Sequence, residues 1–118
     1  MIHPQIGFYA ACGVIDTGAG TAAFQTETIN GQAIANQIGF TGLTQNAAGD
    51  ITLQLDPDFF PVDDLIQIQH AVLSAAGVVR SLNFEVDVAA NTIRVRAVDA
   101  AAALQATSYT LTVTRRKF

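Results

Sequence analysis

The chain has 118 residues, a length that suits one domain, and it contains no run of eighteen apolar residues that could form a membrane-spanning helix. Its net charge is −4, and its few basic residues, half of them at the C-terminus, do not make the dense positive face that nucleic-acid binding requires. Hydrophobic residues make up 50% of the chain and charged residues only 14%, so we expect apolar surface to remain after one small core has formed.

A strand is predicted near the N-terminus, at about Ile6–Ile15, followed by a turn at residues 17–20. The first sixteen residues lack a basic region ahead of their apolar stretch, so they are not interpreted as a secretory signal. Cys12 is the only cysteine and cannot form an intrachain disulfide. Its apolar neighbours predict a buried, inert thiol.

The segment 13–37 carries only two charged residues and shows no sustained period of 2 or 3.6. Its strongest turn signal is Asn30-Gly31. Such a segment has little of its own to pack on, so residues 1–38 are interpreted as an N-terminal strand with an extended arm. Residues 39–118 are then the body of the same domain. An arm lying on a neighbouring subunit and an ordinary long loop both fit this pattern.

The body begins with a short predicted strand at 40–43 and a turn at 45–49. Residues 51–55 then alternate between apolar and polar, as in a half-buried strand, and Pro57 ends that strand because proline cannot donate to a ladder. Residues 63–77 fit both a strand and a capped helix. Their β-branched content favours the strand.

A hairpin is predicted within residues 82–98, where apolar residues alternate with charged ones on both strands. A four-residue loop at 89–92 sets Val86 opposite Val95. The same register places two acid–base pairs on the outer face: Glu85–Arg96 and Asp87–Arg94.

The alanine-rich stretch 100–103 fits a short helical turn or a loop, and an alternating strand follows at 109–113. The apolar faces of the predicted strands are expected to share one core, formed by Phe84, Val86, Ile93, Val95, Leu111 and Val113. About seven short strands separated by turn signals predict an all-β sandwich or barrel.

The sequence predicts no catalytic set and no cofactor. Nucleophilic catalysis needs a base close to the nucleophile, and the two histidines are His3, near the terminus, and His70, inside an apolar run. His70 is expected to be a packed or interface residue rather than a base. The sequence contains no P-loop and no HExxH, GxGxxG or GxSxG motif. We therefore expect a protein that is not an enzyme.

The best candidate for a cation site is a cluster of four aspartates: Asp56, Asp58, Asp63 and Asp64. Alternating acidic residues in a loop can wrap a calcium ion, but the insertion at 59–61 spoils the spacing of a known loop. Aspartates also recur at strand ends because they form good turns. A glycosidase cleft would need aromatic residues, and the chain has no tryptophan. No metal site is predicted.

Three stretches follow one another in a recognisable order between Gly39 and Val113. GFTGLTQNAAGDITLQL reads as a strand, a glycine turn and a strand, and DPDFFPVDD as a proline–aromatic bend. NTIRVRAVDAAAALQATSYTLTV reads as a strand, an Asp-led loop and a final strand. This order resembles a small β-domain of tailed-bacteriophage virion proteins, found at tail-fibre ends and in capsid accessory proteins. The resemblance implies a jelly-roll-like antiparallel β-sandwich, use as a homotrimer, and a role without catalysis.

The resemblance makes a capsid decoration protein the first hypothesis: a subunit made in the host cytoplasm that cements the shell of a phage virion. Its expected partners are copies of itself, as a trimer, and other virion proteins such as the major capsid protein. A receptor- or carbohydrate-binding module at a tail or fibre tip is the rival hypothesis, and a compact monomer with a bland surface is the alternative to association. The residues expected at an interface are aromatic anchors: Phe8, Tyr9, Phe24 and Phe118.

Overall fold

A computed structural model describes residues 5–57, 65–73 and 77–117, and every regular element in these ranges is a β-strand. The predicted all-β class is confirmed. The eleven strands of the described ranges are β1 (Gln5–Ile15), β2 (Ala23–Phe24), β3 (Thr26–Ile29), β4 (Gln32–Ala35), β5 (Gln37–Ile38), β6 (Phe40–Ala47), β7 (Asp50–Leu55), β8 (Leu65–Leu73), β9 (Ser81–Asp87), β10 (Thr92–Val98) and β11 (Ser108–Lys117).

The strands form an antiparallel β-sandwich of two sheets, with a separate hairpin made by β3 and β4. In the first sheet the order is β2-β1-β11-β8, and β5 also pairs with β1. In the second sheet the order is β6-β7-β10-β9. Strands β8 and β9 are therefore edge strands, whereas β1, β11, β7 and β10 are central.

The core lies between the two sheets and takes its side chains from the central strands, where every second residue is buried. Its largest members are Val14, Ile51, Leu53, Leu55, Ile93, Val95, Tyr109, Leu111 and Val113. Four of the six predicted core residues are thus confirmed. Phe84 is only half-buried, and the prediction for Val86 is wrong, because this residue is 36% exposed on the edge strand β9.

The first strand is part of the sandwich. β1 pairs with β11 along most of its length, and Ala10, Cys12 and Val14 point into the core. Residues 13–15, at the start of the segment expected to have little of its own to pack on, therefore belong to a strand of the sandwich. Small residues between the buried positions made the period of this strand hard to recognise.

Strand β6 is longer than predicted and its turn into β7 is shorter, at Ala48-Gly49. Gly49 has a φ of 81°, in the left-handed region that glycine tolerates. β7 ends at Leu55, ahead of Pro57, as predicted. β8 is a strand, so the preference for a strand over a helix in that region is confirmed.

The hairpin β9–β10 forms, but its predicted register is wrong by two residues: Val86 faces Ile93, and Phe84 faces Val95. The loop has the expected length but starts one residue earlier, at Val88, and ends at Asn91. Asn91 has a φ of 59°, and asparagine adopts this conformation far more readily than the β-branched residue that follows it. A two-residue slip leaves every side chain on its predicted face.

The side chain of Asn91 explains why the loop closes where it does. Its amide nitrogen donates to the carbonyl oxygens of Leu55 and Asp56 at the end of β7, and the Leu55 amide donates back to the Asn91 carbonyl at 3.0 Å. These bonds fix the loop to the neighbouring strand end. The loop position is thus set by a tertiary contact.

Candidate interaction surfaces

The hairpin β3–β4 stands apart from both sheets. All ten residues from Thr26 to Ala35 are exposed, with Ile29 at 50% and Ile34 at 44%. The predicted turn at Asn30-Gly31 is confirmed, since both residues have positive φ (52° and 79°), as a two-residue type I′ hairpin turn requires. The pairing puts the two isoleucines on one face, together with Glu27 and Gln32. This face is an exposed apolar patch.

The base of this hairpin is held firmly by β1. Gly13 donates its amide to the carbonyl of Asn36 at 3.1 Å and accepts a hydrogen bond from the amide of Gln25 at 2.7 Å. A Cβ on Gly13 would lie only 2.7 Å from Oε1 of Gln25, so the close approach depends on glycine. β2 and β5 pair with β1 on either side of this point. The hairpin therefore leaves the first sheet at the side of β1 that faces away from β11.

The opposite edge of the same sheet is β8. This nine-residue strand contains neither a charged residue nor a proline, and it pairs with β11 without a register shift. Its side chains Ile66, Ile68 and Val72 are half-buried, and no strand in the described ranges pairs with its outer edge. Natural edge strands are usually blunted by charge, proline, a bulge or short length. β8 has none of these.

The outer face of the first sheet is neutral beside that edge. Thr110 faces Ala71, and Thr112 faces Gln69 across the β11–β8 ladder. The outer face of the second sheet is charged instead: the Asp50 carboxylate accepts hydrogen bonds from Nε and NH2 of Arg94 at 2.8 and 2.6 Å. The two faces of the sandwich thus offer different chemistry to a partner.

One predicted ion pair forms on the charged face and the other is replaced. Nη2 of Arg96 lies 3.2 Å from Oε2 of Glu85. The two residues are diagonal neighbours, because the ladder places Arg94 directly opposite Glu85. Arg94 pairs with Asp50 rather than Asp87. The hydrogen bonds from Arg94 lower the pKa of Asp50, while the burial of Asp50 acts in the opposite direction.

A cavity of about 290 Å³ lies at one end of the sandwich, lined by Asp16, Leu73, Val78, Arg80, Ala106, Thr107 and Ser108. The carboxylate of Asp16 is buried and already accepts hydrogen bonds from the amides of Gly18 and Gly49 and from Nε2 of Gln45. It ties the end of β1 to the β6–β7 turn. None of the seven lining residues is a histidine or lysine that could act as a base for Ser108, and the Asp16 carboxylate is held by its three hydrogen-bond donors.

The candidate chemical residues are not brought together. Cys12 is buried, as predicted, and this burial raises the pKa of its thiol to about 12. His70 is exposed on β8, with its ring centroid 5.2 Å from that of Phe84. Asp56 is exposed, whereas Asp58, Asp63 and Asp64 lie outside the described residues. Within the described ranges, no group of three or more His, Cys, Asp or Glu side chains could hold a metal ion.

Of the four predicted interface anchors, the structure describes the side chain of Phe24 alone. Phe24 is half-buried and packs beside Phe40 of its own core, with ring centroids 6.3 Å apart. Phe8 and Tyr9 belong to β1, where the structure describes their backbone only, and Phe118 lies outside the described residues. Their role at an interface stays a prediction.

Sequence reasoning missed the two surfaces that the fold makes most conspicuous, the β3–β4 hairpin and the edge of β8. A signal for the first was available: Asn30-Gly31 lies between TETI and QAIA, two short segments with one isoleucine each. The second had no local signal, because a strand becomes an edge only through its pairing.

No protein-family model matches this sequence, and neither a curated protein nor a solved structure is significantly similar to it. In the described part of the chain, no helix is long and apolar enough to cross a membrane. Inference about function therefore starts from the surfaces of the fold.

Proposed function

We propose that this protein is a non-enzymatic structural subunit that works by packing against copies of itself and against other proteins of a larger assembly. The role we infer first is that of a capsid decoration protein in a tailed-phage virion, acting as a trimer. The observation that carries the proposal is the β3–β4 hairpin, which presents Ile29 and Ile34 to solvent.

An exposed two-stranded hairpin is marginally stable in water because it buries too little surface to offset the lost backbone entropy. The base of this hairpin is anchored by backbone bonds at Gly13, but its apolar face has nothing in the described part of its own chain to cover it. Docking on a partner would bury both isoleucines and order the tip. An arm of this kind suits a subunit whose working state is an assembly.

An uncharged part of the first sheet supports the same proposal. Where Thr110, Thr112 and Thr114 of β11 pair with Ala71, Gln69 and Gln67 of β8, the outer face carries no ion that a protein surface would have to desolvate on approach. The charged groups of the second sheet are paired with one another instead. A subunit on the surface of a shell is expected to have one face suited to protein contact and another suited to solvent.

The proposal is tested by measuring the mass of the full chain across micromolar to millimolar concentration, by native mass spectrometry and sedimentation velocity. We expect an oligomer, and we expect Ile29→Ser/Ile34→Ser to dissociate it. The matched control is Thr28→Ser/Ala33→Ser on the opposite face of the same hairpin, which should assemble normally. A monomer throughout, or equal behaviour of the two variants, would contradict the proposal.

A second measurement separates decoration from the rival function. A decoration protein added to emptied phage shells should bind them and raise the temperature at which they rupture. A receptor-binding module should instead bind glycans on an array and leave the shells unchanged. Glycan binding without shell binding would contradict the decoration role and support the receptor-binding role.

A further inference from the structure

We propose that the β3–β4 hairpin of one copy adds to the free edge of β8 in the next copy, so that the subunits join head to tail in a closed ring. The inference rests on the proposed function, because it assumes that the chain associates with itself. It adds the location of the contact and the symmetry that follows from it.

The first argument is that both elements need a partner. β8 is long, uncharged and regular, and such an edge pairs readily with another strand through its unused backbone groups. Within the described residues β3 and β4 pair only with each other, so each of them has one unpaired edge as well. A single contact between the two elements pairs the edge of β8 with one edge of the hairpin.

The second argument is their placement in the sheet. The hairpin leaves at the β1 side of the first sheet, while β8 forms the other side. Because the arm and its docking edge lie at opposite sides of one sheet, they cannot meet within one chain. Between chains, the arm of each copy can dock on β8 of the next copy. Contacts of this heterologous kind close into a ring when the rotation between successive copies closes, and they form an open filament when it does not. The proposal is the closed case. A trimer is the smallest ring that is not a two-fold dimer.

The third argument is apolar complementarity. Inward-facing residues of β8 and β9 are only half-buried, among them Ile66, Ile68 and Phe84, so part of their apolar surface is left for a partner to cover. A hairpin that extends the first sheet beyond β8 can turn Ile29 and Ile34 towards this surface. The core would then continue from one subunit into the next.

Charge and size are compatible with this docking. The hairpin carries one charge, that of Glu27, and β8 carries none, so no like-charge repulsion opposes their contact. A standard interface buries about 800 Å² on each partner, roughly a ninth of the 7164 Å² surface of this chain. The hairpin offers ten exposed residues to such a contact, and β8 is nine residues long.

The test is disulfide trapping between two differently substituted chains. Thr28 and Ala33 face each other across the hairpin, so each in turn is replaced by cysteine to probe either strand. The second chain carries Gln67→Cys or Gln69→Cys on β8. Both glutamines are exposed. Native Cys12 will not interfere, because it is buried and its pKa is raised to about 12.

We expect mixed disulfides between the hairpin and β8 positions under mild oxidation. The control partner is Thr44→Cys, an exposed position on β6 at the edge of the second sheet, which should give none. A chain that carries both Thr28→Cys and Gln69→Cys should yield a covalent trimer as its largest abundant product. Gln69→Cys chains that mainly link to each other would overturn the proposal in favour of a two-fold β8–β8 contact.

The outcomes also separate this inference from the function on which it rests. If Ile29→Ser/Ile34→Ser dissociates the oligomer but no hairpin–β8 disulfide forms, subunit packing stands and the head-to-tail contact is wrong. If the unsubstituted chain never associates, both proposals are wrong.

Discussion

The carboxylate of Asp50 and the guanidinium of Arg94 are joined by two hydrogen bonds, 2.8 and 2.6 Å long, across strands β7 and β10. Asp50 is almost fully buried, and Arg94 is partly exposed. This paired geometry holds the pKa of Asp50 below its usual value of 3.8. Two central strands of the second sheet are thereby linked by a charged contact on the solvent side of the core.

This contact predicts a specific loss of stability in acid. Because the folded pKa of Asp50 lies below the unfolded one, the pair contributes stability that is fully present above the unfolded pKa and disappears as pH falls through the folded pKa. Urea unfolding should therefore show a steeper decline in acid for the native chain than for Asp50→Asn. Glu27→Gln, which also removes one carboxylate, is the control and should keep the native slope. The prediction would be contradicted if the free energy of unfolding fell equally steeply in acid for the native chain and for Asp50→Asn.

The loss of stability caused by a substitution should follow the observed burial of the residue rather than its membership of the core predicted from the sequence. Leu53 is fully buried on a central strand, and Leu53→Ala should lower the free energy of unfolding by about 2–5 kcal/mol. Val86→Ala, on the exposed part of β9, should cost about 1 kcal/mol or less. Phe84→Ala should fall between them, because its ring is half-buried. Chemical denaturation of the three variants checks this order, and equal losses for Leu53 and Val86 would refute it.

Two glycines with the same backbone conformation should respond differently to alanine. Gly49 and Gly31 have φ values of 81° and 79°, so both substitutions bear the left-handed penalty of about 1 kcal/mol. A Cβ at Gly49 would also lie 2.6 Å from the carbonyl oxygen of Gln105, whereas Gly31 faces open space. We expect Gly49→Ala to cost at least about 2 kcal/mol more than Gly31→Ala in thermal or urea unfolding. Similar losses would show that the Gln105 loop moves away freely.

Two deletions should show that folding of the sandwich needs β1 but does not need the β3–β4 hairpin. Removing residues 1–37 deletes β1 and four buried core residues, so the remainder should not fold cooperatively. Replacing Thr26–Ala35 by Asn-Gly should leave the fold intact, because the carbonyl of Gln25 and the amide of Asn36 are already hydrogen-bonded at 2.5 Å, as across a two-residue turn. Thermal unfolding followed by circular dichroism distinguishes the two. A folded 38–118 fragment would contradict the assignment of β1 to the core.

The fold class and several elements followed from local patterns. Alternation in residues 51–55 and 93–97 predicted β7 and β10 and the face that each buries, and Asn30-Gly31 predicted a turn. These features depend on the period of a strand and on the backbone preferences of turn residues, which are encoded over fewer than ten positions. The sequence alone was sufficient for them.

Pairing was decided only in the tertiary structure. Alternation is unchanged by a slip of two residues, so the β9–β10 register depended on Asn91 reaching Leu55, 36 positions away. Arg94 likewise took its partner from β7, 44 positions away, rather than from its own hairpin. The place of β1 beside β11, and that of β8 at the edge, depended on contacts between distant segments. A local pattern specifies which face of a strand is apolar, but the neighbour that covers that face is chosen by the packing of the whole chain.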